Sequence, residues 1–190
     1  MRTIRRRLMT SYANPDLPIR WQDEQVAAWA TGKGLETRRD CIEVRSIASD
    51  DFRGNTELRR FPELRWFTRL AEISNGTFMN CSRLEDIALP DGIKVLYGQA
   101  FRGCTALKSL TLPSSIGRIN GYVFSGCASI GWIRVLNPTP PTLDTDMPPF
   151  SVTNSLLQFY VPDGSVEAYK AADAWKTYAG RIHPLSEWVE

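Results

Sequence analysis

The stretch Phe101-Arg-Gly-Cys104-Thr-Ala-Leu107-Lys-Ser-Leu110-Thr-Leu112-Pro113 decides the fold, because the chain repeats it. Phe78-Met-Asn-Cys81-Ser-Arg-Leu84 stands 23 residues before it, and Phe124-Ser-Gly-Cys127-Ala-Ser-Ile130 stands 23 residues after it. Each copy continues into apolar residues at one fixed spacing: Leu84/Ile87/Leu89, Leu107/Leu110/Leu112 and Ile130/Ile133/Val135. The first two runs end in Pro90 and Pro113. Degraded copies flank these three. Phe52-Arg-Gly-Asn55-Thr-Glu-Leu58, followed by Phe61, lies 26 residues upstream, and Phe150, Leu156, Phe159, Val161 and Pro162 lie 26 residues downstream. A self-similar period of this length is the signature of stacked structural repeats.

One such coil cannot bury both its strand and its return segment, so each depends on the coils above and below. The pattern predicts an α/β repeat solenoid of about five short parallel strands, closed at each end by a helical cap. Residues 1–46 form a basic arm and helix-loop-helix cap, 47–162 the repeats, and 163–190 a C-terminal helical cap. Stacking places rungs about 4.8 Å apart, so Phe52, Phe78, Phe101, Phe124 and Phe150 line up as a buried ladder. Return segments such as Ile93-Lys-Val-Leu96 and Ile116-Gly-Arg-Ile119 close each coil.

Composition narrows the chemistry. The 190 residues carry 23 Lys and Arg against 21 Asp and Glu, so overall charge points to no nucleic-acid partner. The balance is uneven along the chain: residues 1–137 hold 20 basic and 14 acidic side chains, residues 138–190 hold 3 and 7. Arg2, Arg5, Arg6 and Arg7 are the one concentrated charge run, read as a solvated or partner-ordered arm because no aromatic residues interleave it. That basic start resembles the beginning of a signal peptide, but Asp16, Arg20, Asp23 and Glu24 interrupt any apolar stretch after it. No run approaches the length of a membrane span. The one histidine, His183, cannot make a multi-imidazole zinc site. No nucleophile elbow, phosphate-binding loop or dinucleotide glycine pattern is present, so the chain is read as no enzyme, with no cofactor and no metal.

The cysteines Cys41, Cys81, Cys104 and Cys127 admit disulfide, metal or structural readings. Three equally spaced positions in one ladder cannot all pair, and Asn55 takes the same place in the first copy. They are read as buried structural thiols, since free Cys behaves as a small hydrophobe. At the C-terminal end, Asp163 or Ser165 is expected to cap a helix over about residues 165–179, with Val166, Tyr169, Ala172 and Trp175 on one face and Gly180 as its stop. Ile182 and Leu185 would extend the seal, and His183 would be a local hydrogen-bonding residue. At the other end Asp23 caps a helix through Val26, Ala27 and Trp29. Thr37 caps a second containing Cys41, Val44 and Ile47.

The unit from Leu84 to Leu107, with Leu-x-x-Ile-x-Leu-Pro and then Ala-Phe-x-x-Cys-x-x-Leu, resembles the BspA-like leucine-rich repeats of gut and oral bacterial surface proteins. The lead-in Phe52 to Phe67 and the ending Tyr160-Val-Pro-Asp-Gly-Ser-Val-Glu-Ala-Tyr169-Lys with Trp175 are similar to the same family. The resemblance implies a leucine-rich-repeat solenoid and an adhesive or recognition role at a cell surface. Related proteins also carry calcium loops of dockerin or EF-hand type near the N-terminal helices. Here Ala30 and Lys33 stand where acidic ligands would be needed, so no metal is expected.

Function therefore falls to the exposed face. Alternation turns outward Arg60 and Pro62, Asp86 and Ala88, Ser109 and Thr111, Trp132 and Arg134, and Gln158 and Tyr160. Trp132, Arg134, Gln158 and Tyr160 meet on adjacent rungs and, with Arg60 and Asp86, are the candidate partner-binding residues. Trp, Tyr and Arg dominate binding hot spots. The alternative is that the Pro-rich segment 137–149 folds back over this patch. Two roles follow: a non-catalytic module binding a protein or glycan through the strand face, or a structural or decoration component of an assembly such as a bacteriophage virion.

Overall fold

The computed structural model describes residues 14–189; the arginine run at residues 2–7 lies outside them. The front strands are β1 (Arg60–Phe61), β3 (Asp86–Ile87), β5 (Ser109–Leu112), β7 (Trp132–Val135) and β9 (Gln158–Val161). They are the five strands the repeat predicts. The return segments also pair, as β2 (Glu72–Ile73), β4 (Val95–Leu96), β6 (Arg118–Ile119) and β8 (Thr142–Leu143). They form a second, four-stranded parallel sheet in rung order. The front face is interrupted: β1 pairs only with β3, whereas β5, β7 and β9 run on as one sheet.

Between the two faces runs the phenylalanine ladder. Phe52, Phe78, Phe101, Phe124 and Phe150 are buried. Successive ring centroids lie 5.4, 5.3, 5.7 and 5.5 Å apart, and the last three pairs are within 9° of parallel. In-register stacking of identical coils forces this geometry, since each ring inherits its orientation from the same backbone one rung away. Beside the ladder, the thiols of Cys81, Cys104 and Cys127 donate to the carbonyls of Phe52, Phe78 and Phe101, each one rung back, at 3.0, 3.1 and 3.1 Å. All four cysteines are free and buried. Burial pushes Cys41, Cys81 and Cys127 up to about 12 and Cys104 well above its usual value. In the first rung Asn55 bonds to the cap instead, donating to Gln25 Oε1 at 3.2 Å. Its Oδ1 accepts from the Glu57 and Leu58 amides.

Two residues after each ladder phenylalanine the backbone turns left-handed, at Gly54, Asn80, Gly103, Gly126 and Val152. Four of these are residues that tolerate such a φ, and β-branched Val152 at φ 53° is the exception. The same rung carries one extra residue between its phenylalanine and the turn: Asn154 stands four residues after Phe150, where Asn55 and the cysteines stand three after theirs. Leu157 therefore takes the buried place and Leu156 is exposed, while the strand keeps its register, with Phe159 opposite Ile133.

The N-terminal cap consists of α1 (Glu24–Gly32) and α2 (Arg38–Glu43). Asp23 caps α1 through the Gln25 amide at 2.9 Å. Its other oxygen accepts from the Arg59 and Arg60 amides at 2.8 and 3.1 Å, so one carboxylate also closes the open edge of the first front strand. Thr37 caps α2 in a reciprocal box with Asp40. This helix is shorter than expected: it ends at Glu43, and Val44 and Ile47 lie beyond it. Trp29 packs on Phe52, Phe61 and Phe67. Ala30 is fully buried within α1, and Lys33 pairs with Asp51 at 3.1 Å.

The C-terminal cap differs from the single helix expected. α3 covers only Val166–Ala171 and has no side-chain cap. Asp163 instead accepts from the Ser186 amide at 3.0 Å, which ties down the tail and holds its carboxyl below the usual range. Ala172 turns extended, a break that lets Trp175 drop beneath the last rung. There it packs on Phe159 and Tyr169, and its indole donates to the Pro141 carbonyl at 2.8 Å. A 3-10 segment Lys176–Arg181, which contains Gly180, leads to β10 (Ile182–Pro184). That strand pairs parallel with β9 and adds a sixth front strand. No helix among the described residues is long and apolar enough to cross a membrane.

Candidate functional site

The front face carries the site. Register places Trp132 beside Gln158 and Arg134 beside Tyr160, so the four residues expected to meet do meet. Gln158 and Tyr160 are engaged by the extra strand. Gln158 Oε1 lies 2.8 Å from His183 Nε2, and the Tyr160 ring lies 5.5 Å from the imidazole. His183 thus has the local role expected of it.

The Pro-rich segment does not cover this patch. It runs to the opposite face, where it supplies β8 and where Asn137 Nδ2 donates to the Ile116 carbonyl. The C-terminal tail reaches the patch instead. Trp188 meets Trp132 edge-on at 5.4 Å, and the Arg134 guanidinium lies 4.1 Å from the Trp188 ring centroid. Arg134 is fixed further by Thr111, whose Oγ1 accepts from Nε at 3.1 Å and from Nη2 at 2.9 Å. Trp188 has no counterpart in the repeat, so periodicity gives no hint of it.

Next to these aromatics a groove of about 520 Å³ opens over the interruption between β3 and β5. Its origin lies in side-chain size. Ala88, Ser109, Thr111 and Pro113 are small and form the floor, while Arg65, Asp86 and Asp91 stand at one end and Trp132 and Arg134 at the other. Asp86 is a candidate that the structure places in the groove. Arg60 lies beside it in register but outside the lining, and Pro62 is buried at the start of a 3-10 turn (Pro62–Trp66) rather than exposed. Arg65 and Asp91 were not among the candidates. Arg65 follows a non-repetitive lead-in, and Asp91 sits just beyond Pro90, where strand alternation no longer applies.

The charges at the groove differ from those elsewhere. Along the rung edges they pair between coils, as in Glu57–Arg83 at 2.7 Å and Arg59–Glu85 and Lys108–Glu85 at 3.8 Å. Among the described residues Arg65, Asp86, Asp91 and Arg134 make no salt bridge. Arg65 rests 5.7 Å from the Trp66 ring. The described residues contain no His/Cys/Asp/Glu cluster suited to a metal ion.

The family comparison agrees with this architecture. A family model for the BspA type leucine rich repeat region matches in six copies across residues 41–164. Among solved structures, a leucine-rich repeat protein from Bacteroides ovatus ATCC 8483 aligns at 20% identity with a TM-score of 0.34. That alignment covers 65% of this chain and 44% of that one, so it spans less than half of the Bacteroides protein. No curated protein matched. Domains of this repeat type are generally non-catalytic and serve protein interaction or adhesion, typically at surfaces or outside cells. The chain belongs to the BspA type leucine rich repeat family.

Proposed function

We propose that this chain is a non-catalytic recognition module of a surface or extracellular protein, and that it holds a protein or glycan partner in the front-face groove. One observation carries the reading: four charged side chains line a groove of about 520 Å³ and, among the described residues, form no salt bridge with one another or with neighbours. Its volume falls in the range of pockets that enclose small ligands or anchor side chains. Trp132 and Arg134 are residue types that supply most binding energy at interfaces. The stacked coils hold them in place before any partner arrives, so little ordering entropy is lost on association.

The test is selection of binders from a random peptide library and an oligosaccharide panel, followed by counter-screening on Ser109→Trp, which fills the groove floor. Ser109 is half-buried, with its side chain outside the core. Recovered binders lose affinity for S109W while its unfolding midpoint stays near that of the parent. Binders that hold S109W and parent equally well refute the groove as the site.

A further inference from the structure

The arrangement of charge along the groove specifies a ligand more narrowly. Asp86 belongs to β3 and Asp91 to the turn after it, whereas Trp132 and Arg134 belong to β7, two rungs further on. Two rung spacings are about 10 Å. Between them the rung of Ser109 and Thr111 offers hydroxyls and no charge. The groove is therefore negative at one end and positive at the other, and Arg65 continues the alternation beyond the aspartates.

Its positive end is built to present a fixed donor edge. Thr111 occupies Nε and Nη2 of Arg134, Trp188 lies against the guanidinium, and Trp132 lies 5.5 Å from it. Among the described residues Nη1 makes no hydrogen bond, which leaves it for a ligand. A carboxylate is an anion that a positioned guanidinium binds through strong charge-assisted hydrogen bonds. Backbone N–H and C=O groups of the paired strands are directed along the stack rather than out of its face, so discrimination between charges comes from side chains. A ligand of one sign would meet like charge at one end, and an uncharged ligand would leave both ends without a counter-charge.

We propose that the groove takes an extended, dipolar peptide segment whose basic side chain faces Asp86 and Asp91 and whose acidic side chain faces Arg134, the two standing three residues apart. In the polyproline II form of an extended chain there are three residues per turn and a rise of about 3.1 Å per residue, so side chains three apart share one face and stand about 9 Å from each other, close to the two-rung spacing. This inference rests on the groove being the binding site, and names its partner as a protein segment rather than a glycan.

Three capped glycine hexapeptides test it, one with Lys and Glu three positions apart, one with Lys and Glu adjacent, and one with two Lys three apart. Each is titrated into the full-length protein at low salt, following the Thr111 amide and the Trp132 indole by NMR. The first peptide binds about tenfold more tightly than the other two, and added salt weakens it. Arg134→Glu reverses the order in favour of the two-Lys peptide. Asp86→Asn with Asp91→Asn, both exposed sites, lowers affinity for the first peptide about tenfold without touching the Arg134 clamp. Equal affinity for the three peptides, absence of shifts at the groove, or competition by a neutral oligosaccharide alone overturns the proposal. Library binders that S109W abolishes but that lack this spacing would end the dipolar inference while leaving the groove as the recognition site. Binders indifferent to S109W would end both.

Discussion

Phe101→Ala probes the central support of the solenoid. The Phe101 side chain is fully buried and lies between Phe78 at 5.3 Å and Phe124 at 5.7 Å, almost parallel to both. Truncating a core phenylalanine costs about 3–5 kcal/mol in transfer and cavity energy. Two aromatic contacts, each worth about 0.5–1.5 kcal/mol beyond their area, are lost with it. The upper half of the range, about 4–5 kcal/mol, is therefore expected. That is about a quarter or more of the ~5–15 kcal/mol by which domains are usually stable. Phe101→Leu keeps most of the buried volume and loses the stacking, so it should cost about 1–2 kcal/mol. Urea titration followed by both tryptophan fluorescence and far-ultraviolet circular dichroism measures each loss. In a repeat array each coil is stabilised by its neighbours, so the two signals should separate in F101A as its halves uncouple. A loss under about 1.5 kcal/mol in F101A, with coincident transitions, would refute the ladder as the main axial coupling.

Other consequences are independent of that ladder. Ellman's reagent at pH 8 should find the four thiols silent in the folded chain and all four reactive after unfolding. The folded thiols ionise far above the ordinary value near 8.5, so their contribution to stability is full below that value. It is lost as pH rises toward the folded values of about 12, and a urea midpoint that holds steady from pH 8 to 11 would contradict their burial. Val152→Gly should raise stability by about 0.5–1 kcal/mol, because it relieves a left-handed β-branched residue at the modest entropic cost of glycine. Val152 is 83% exposed, so little burial is lost with it, and a lower midpoint would show that its side chain is needed. Gly121→Ala should cost about 1–3 kcal/mol, since its Cβ would lie 2.6 Å from Met147 Cβ and 3.0 Å from the Met147 carbonyl. Binding at the front face should survive it, because Met147 and the Pro-rich segment pack on the return side; a neutral effect on stability would contradict that packing.

What could be read from the sequence follows from what repeats. Phe78, Phe101 and Phe124, with the cysteines three residues after each, recur at one spacing, and their burial and stacking follow from register alone. The outward residues Trp132, Arg134, Gln158 and Tyr160 were equally legible, because alternation within a strand fixes the face. The return segments were legible as chain that closes each coil, but their pairing into a second sheet was not. Pairs such as Glu72–Ile73 or Arg118–Ile119 are too short to carry a periodic signal and are created by hydrogen bonds to the neighbouring rung. Helical spacing of Val166, Tyr169, Ala172 and Trp175 was real but misleading. The chain breaks at Ala172, and Trp175 packs under Phe159 instead of continuing the helix. The groove itself escaped because it depends on the absence of large side chains at Ala88, Ser109 and Thr111. Small residues draw notice only when their neighbours on adjacent rungs are known.

Chemical-shift mapping of the full chain saturated with a peptide that S109W fails to bind tests the recognition account most directly. The account predicts the largest perturbations at the Ser109 and Thr111 amides and the Trp132 indole, with the return strands at Val95, Arg118 and Thr142 unchanged. Perturbations centred on those return strands, with the groove silent, would contradict it.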